Sequence, residues 1–128
     1  MATRLDAATD LTVADVIHAK FSALPATATV GEVREWFDKS TSRKMAFLAD
    51  GETYAGSITR ADIADRDPAT PAADAARPGP TVTPDAPASR GEELALQTDA
   101  LRVPVVDGAG RLLGVVSVTA DRTSFCGT

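Results

Sequence analysis

What this chain lacks narrows its function sharply. It carries one cysteine, Cys126, so no internal disulfide can form, and that cysteine sits in the last few residues, where fraying is common. The single histidine, His18, leaves a metal site or a catalytic triad without partners at any recognisable spacing. No glycine-rich phosphate loop of the standard kinds is present. Lysine and arginine never form a run and the net charge is −5, which disfavours binding to nucleic acid, since that rests on a basic phosphate-facing surface. No stretch approaches the roughly 18 continuous apolar residues that cross a bilayer. The start, Met1-Ala2-Thr3-Arg4-Leu5-Asp6, lacks the apolar core of a secretory signal. The expectation is a non-enzymatic, cytoplasmic protein without membrane insertion.

What is present is a repeat. From Leu24 to Thr59 the pattern runs extended segment, apolar helix, strand, turn, strand, ending in Gly56-Ser57-Ile58-Thr59. From Val82 to Ser117 it returns, ending in Gly114-Val115-Val116-Ser117, with Gly56 and Gly114 lying 58 residues apart. The same spacing pairs Trp36 with Leu94, Lys44 with Arg102, Phe47 with Val105 and Thr59 with Ser117. A repeat at fixed period decides the architecture before any local pattern does. The boundaries read as a leader at 1–11, a first repeat at 12–68 and a second at 69–128. Each half has about sixty residues, too few to bury much surface alone, so the halves are expected to share a core and not to fold independently.

Within each repeat the elements follow from local chemistry. Thr12 suits the N-cap of a short helical turn over Val13–Ile17, and Thr29 caps a helix with Val30, Val33 and Phe37 on one face. Lys44 to Leu48 and Thr53 to Ile58 read as strands around an Asp50-Gly51 turn, followed by a short helix from Thr59 to about Ala64. In the second half a helix from about Pro87 to Thr98 precedes strands at Arg102–Val106 and Arg111–Val118. Six of the eight prolines fall between Pro68 and Pro87, a composition that alone would read as linker. The repeat instead matches Ala72–Ala76 to Val13–Ile17, one residue out of phase, leaving only Asp65 to Ala69 as connector.

These residues resemble the CBS domain, named after cystathionine β-synthase. The likeness rests on Val13-Ala14-Asp15-Val16-Ile17, on Arg102-Val103-Pro104-Val105-Val106 and on Gly56-Ser57-Ile58-Thr59-Arg60-Ala61-Asp62, and it spans about residues 12 to 121. It implies an α+β fold of two tandem β-α-β-β-α units packed as a pseudo-twofold pair. In the family, clefts between the two take adenosine-containing ligands: AMP, ADP, ATP or S-adenosylmethionine. Most members regulate an attached enzyme, channel or transporter, and this chain resembles the stand-alone sort, signalling to a separate protein partner. The family also implies dimerisation through helices, which fits an apolar helix face near Trp36; a monomer mass by light scattering at tens of micromolar would contradict a homodimer.

The resemblance places a ligand against named residues. Thr59 matches the hydroxyl near phosphate and Asp62 the carboxylate on the ribose hydroxyls, while Arg60 offers a charge-assisted phosphate contact. Ala23, Leu24, Lys44, Met45 and Phe47 would line one side of the base. Thr81, Val82, Arg102, Val103 and Val105 would line the other beside Pro104, with Ala46 standing where Pro104 stands. The bland reading stays open beside it: Thr59 and Asp62 also spell a capping box, and Phe47 and Val105 suit plain core packing. In the second copy Ser117 keeps the hydroxyl, but Ala120 falls where Asp62 does and the acid comes one place later, at Asp121. One residue turns a helical side chain by about 100°, so Asp121 is expected to aim away from a diol. The rival function is a ligand-free dimerisation or docking module with degenerate nucleotide sites.

Overall fold

The computed structural model describes residues 4–7, 10–18, 21, 23–41 and 43–125, so Cys126 and part of the leader lie outside the described residues. The chain divides into two compact units, Ser22–Gly79 and a second made of Met1–Phe21 with Pro80–Thr128.

In the unit Ser22–Gly79, β1 (Ala23–Pro25) runs parallel to β2 (Met45–Asp50), which pairs antiparallel with β3 (Thr53–Thr59). Helix α2 (Val30–Asp38) buries Val30, Val33 and Phe37, the residues whose spacing predicts that face. Thr29 caps it: the Glu32 amide donates to Thr29 Oγ1 at 3.3 Å, and the Thr29 amide donates to Glu32 Oε1 at 3.2 Å. β2 is buried from Met45 to Ala49, as an apolar strand covered on both faces must be. Helix α3 (Arg60–Ile63) follows β3 directly. The core joins Val30, Val33, Phe37, Ala46, Leu48, Ile58 and Ile63 with Ala72 and Ala75.

The other unit repeats the plan. Its α1 (Val13–Val16) carries the expected Thr12 cap, and α4 (Ala88–Leu96) buries Ala88, Gly91, Leu94 and Ala95. β4 (Arg102–Val106) pairs antiparallel with β5 (Leu112–Ser117), and Val82 makes a parallel bridge to Val105. Val13, Val16, Leu94, Val103, Val105, Val116 and Phe125 centre a separate core. The halves of the sequence do share core, as their length requires: Val13 and Val16 of the first join this one, and Ala72 and Ala75 of the second join the other.

The units also cut across the repeat boundaries, because the leading segment of each repeat packs on the body of the other copy. Val13 donates to Ala86 O at 2.8 Å, Ala88 to Leu11 O at 2.8 Å, and His18 and Val115 exchange backbone bonds. The matching positions do the same in Ser22–Gly79: Ala72 donates to Ala28 O, Val30 to Thr70 O, and Arg77 and Ser57 exchange two bonds of 2.9 Å. Glycine permits the closeness. A Cβ on Gly56 would lie 2.8 Å from Ala76 Cβ, and one on Gly114 would lie 2.8 Å from the His18 carbonyl oxygen.

Two further expectations change. Met45 pairs with Thr59 and Arg102 with Ser117, so Met45, not Lys44, holds the place of Arg102, and Phe47, not Ala46, the place of Pro104. The spacing falls from 58 to 57 across these strands because the α4–β4 connection is one residue shorter than the α2–β2 connection. The second hairpin restores it, with three residues between Asp107 and Arg111 where two separate Asp50 and Thr53. The closing helix expected in the second repeat is also absent among the described residues. After β5 the chain turns at Thr119–Arg122, and Phe125 bridges back to Val118.

Candidate functional site

Thr59 ends β3 and begins α3 with extended backbone angles, φ −100° and ψ 167°. Its amide donates to Asp62 Oδ2 at 2.9 Å, so the capping role read from the sequence is real. Thr59 and Asp62 together form the capping box of α3. Asp62 is almost enclosed, its side chain 8% exposed, and its other oxygen, Oδ1, accepts from Arg77 Nε at 3.0 Å. A carboxylate this buried is costly unless satisfied, and these two bonds satisfy it. It retains unfilled acceptor positions, since an ionised carboxylate offers about four.

Arg77 is held from behind. Its backbone pairs with Ser57, whose Oγ lies 2.7 Å from the Tyr54 phenol oxygen. Burial pushes the Tyr54 phenol up from its ordinary pKa, with the Ser57 hydrogen bond opposing it. Arg77 was missed in the sequence because an exposed arginine in a proline-rich stretch carries no pattern. The signal was the exchange itself: Arg77 stands 59 residues after His18, as Pro71 does after Thr12.

Arg60 is engaged with the end of α2. Its Nη2 donates to the Phe37 and Ser40 carbonyls at 2.9 Å each and its Nε to the Arg43 carbonyl at 3.2 Å, with the guanidinium 4.8 Å from the Phe37 ring centre. It closes the C-terminal end of α2, whose last carbonyls lack helical partners. Arg34 returns the favour from α2, donating to the carbonyl of Ile63 at the end of α3 and to that of Arg66 just after it. Both guanidinium groups are directed at backbone carbonyls. Trp36 is half-buried, edge-on to Phe37, with the Arg43 guanidinium 4.6 Å from its ring centre.

The remaining predicted residues divide by unit. In Ser22–Gly79, Ala23 lies opposite Phe47 and Met45 opposite Thr59, so neighbouring strands bring these four together. Leu24 is half-buried, Lys44 is exposed, and Phe47 is 4% exposed on the face of β2 opposite Ala46 and Leu48. In the other unit Val82, Val103 and Pro104 are buried, Thr81 is exposed, and Arg102 sends Nη1 to the Ala100 carbonyl at 2.6 Å. Ser117 is 5% exposed. Asp121 is engaged in its own turn: Oδ1 accepts from Thr119 Oγ1 at 2.6 Å, Thr123 Oγ1 at 2.7 Å and the Thr123 amide at 3.1 Å. These bonds hold its carboxyl below the ordinary aspartate range, the Thr119 hydroxyl first among them. The two copies therefore differ in their acid, a buried Asp62 paired with Arg77 in one and Asp121 tied within its own turn in the other.

The comparisons with known proteins fit this arrangement. A family model described as "CBS domain" matches residues 72–120. Over that stretch the chain is similar to a CBS domain. Solved structures give the fold across both units. The cystathionine β-synthase pair domain of a candidate Mg2+ transporter from Shewanella oneidensis MR-1 is 22% identical, with 88% of this chain and 68% of that one covered and a TM-score of 0.75. The CBS domains of a transcriptional regulator from Streptococcus pneumoniae are also 22% identical, covering 84% and 93%, with a TM-score of 0.73. CBSX2, a CBS-pair protein of Arabidopsis thaliana, in complex with AMP is 21% identical, covering 83% and 89%, with a TM-score of 0.69. No curated protein sequence matches. The mixed α+β architecture is that of these CBS pairs. Among the described residues, no helix is long and apolar enough to cross a membrane, and no cluster of His, Cys, Asp or Glu could hold a metal ion.

Proposed function

We propose that this chain is a CBS-type regulatory module that binds an adenosine-containing ligand at Thr59 and Asp62 and relays its presence to a protein partner. The observation that carries the reading is Asp62, a nearly enclosed carboxylate with acceptor positions to spare beside the Thr59 hydroxyl. A ribose diol donates two hydrogen bonds, and a carboxylate of this kind accepts them. The AMP complex of CBSX2 shows that the fold can take such a ligand. Ala23, Leu24 and Met45 supply the adjoining apolar side. The second copy contributes no equivalent, because Ala120 replaces the acid and Asp121 is held in its turn. A ligand acts on the partner only through its different affinity for two states of the module.

Thermal shift against AMP, ADP, ATP and S-adenosylmethionine is the first test, since a ligand at a hundredfold excess over Kd stabilises the native state by about 2.7 kcal/mol. Calorimetry on variants then locates the site. Asp62→Ala is expected to weaken binding about ten- to hundredfold, the worth of hydrogen bonds to a charged group. Asp121→Ala leaves it unchanged. Melting curves accompany both, because Asp62 also supports its helix and its loss costs about 1 kcal/mol. Unchanged binding in a folded Asp62→Ala protein refutes the assignment.

A further inference from the structure

Asp62 gathers two guanidinium groups, and neither is used up. Arg77 spends only Nε, on Asp62 Oδ1, and Arg66 spends only Nε, on the Asp62 carbonyl at 3.0 Å. Among the described residues their terminal nitrogens make no hydrogen bond. Arg77 is 74% exposed, yet its backbone is fixed by two bonds to Ser57, so its side chain starts from a set position and ends in water. A guanidinium anchored through Nε keeps four N–H donors in a planar fork, the shape that grips a phosphate bidentately. The other cations of this unit that approach α3, Arg34 and Arg60, are committed to backbone carbonyls. Asp62, Arg66 and Arg77 together carry a formal charge of +1 within a chain of net charge −5.

We infer that Arg77 selects the charge of the ligand, so that the site takes a phosphate-bearing adenosine compound in preference to neutral adenosine or a cationic sulfonium such as S-adenosylmethionine. The inference rests on the proposed ligand site at Thr59 and Asp62 and adds its specificity. Asp62 takes the diol through its unfilled acceptor positions. Arg77 keeps its ion pair with Asp62 and turns its free fork, with the Thr59 hydroxyl, toward the phosphate. A cation brought to the same place meets like charge. Lysine would not replace it fully, because an ammonium is a point charge without the fork.

Calorimetry on the full chain with adenosine, AMP and S-adenosylmethionine tests this. AMP is expected to bind about ten- to hundredfold more tightly than adenosine, and S-adenosylmethionine no more tightly than adenosine. Arg77→Gln should bring AMP down to the adenosine level and leave adenosine unchanged, and Arg77→Lys should fall between. Raising the salt should weaken AMP more than adenosine, since screening acts on the charge pair. Equal affinities for AMP and adenosine in the parent protein overturn the inference and leave the ligand site standing. A folded Arg77→Gln protein that loses both ligands equally also overturns it, and reduces Arg77 to a support for Asp62. If neither ligand binds the parent protein, the ligand site and its specificity fall together.

Discussion

Expressed alone, residues 22–79 are expected to melt cooperatively and give a dispersed NMR spectrum, whereas residues 1–68, the piece that the repeat boundaries suggest, are not. The unit Ser22–Gly79 encloses its whole core, and Ala72, Ala75 and Ala76 close one side of it. Cutting at residue 68 removes those alanines. It also removes four backbone hydrogen bonds: Ala72 to Ala28, Val30 to Thr70, and the two between Ser57 and Arg77. At about 0.5–1.5 kcal/mol each, these bonds amount to about 2–6 kcal/mol. A core of this size supplies only about 3–5 kcal/mol, so the loss equals the stability. A monomeric, cooperatively folded 1–68 beside an unfolded 22–79 would contradict the exchange of leading segments.

Gly56→Ala is expected to destabilise the protein by about 2–6 kcal/mol, two effects adding. Gly56 has φ +136°, a region that side-chain-bearing residues adopt only at a cost of about 1–3 kcal/mol. The added methyl also meets Ala76 Cβ at 2.8 Å, and overpacking of this kind costs about 1–3 kcal/mol more. Gly108→Ala is the control, since a Cβ there has nothing within 4 Å and no positive φ to strain it. Chemical denaturation of the two variants compares them. Equal midpoints would mean that the leading segment does not sit against β3 as closely as the structure places it.

Much of this was legible in the sequence, for reasons that are local. Thr12, Thr29 and Thr59 announce their helices because capping is settled within three residues, and Val30, Val33 and Phe37 announce a buried face through helical period alone. Arg102–Val106 reads as a strand from end to end. The failures are non-local or depend on a single residue. The exchange of leading segments joins Thr12 to Pro87 and Thr29 to Pro71, contacts that no window of sequence contains. The slip from Lys44 to Met45 came from two compensating one-residue changes, invisible to a spacing measured at the glycines. Because strand side chains alternate, that one residue changes which side chain faces the core.

The candidate site was legible in part for the same reasons. Thr59 and Asp62 stand three apart, so their bond is local and predictable. In the second copy, moving the acid by one place let Asp121 bond Thr119 and Thr123 within a turn, and short polar side chains that bond their own backbone compete with helix. Arg60 looked like a phosphate ligand by position but reaches back to α2, a contact set by packing between helices. Arg77 lies fifteen residues from Asp62 and meets it only through the bridge to Ser57.

Backbone NMR of the full chain titrated with AMP tests the central claim most directly, because it reads the location of binding residue by residue. The expected result is saturable shifts at Thr59, Asp62 and Arg77, with the amides of Ser117 and Asp121 unmoved. Shifts centred on Ser117 to Asp121, or none at Thr59 and Asp62 at saturating AMP, would contradict it.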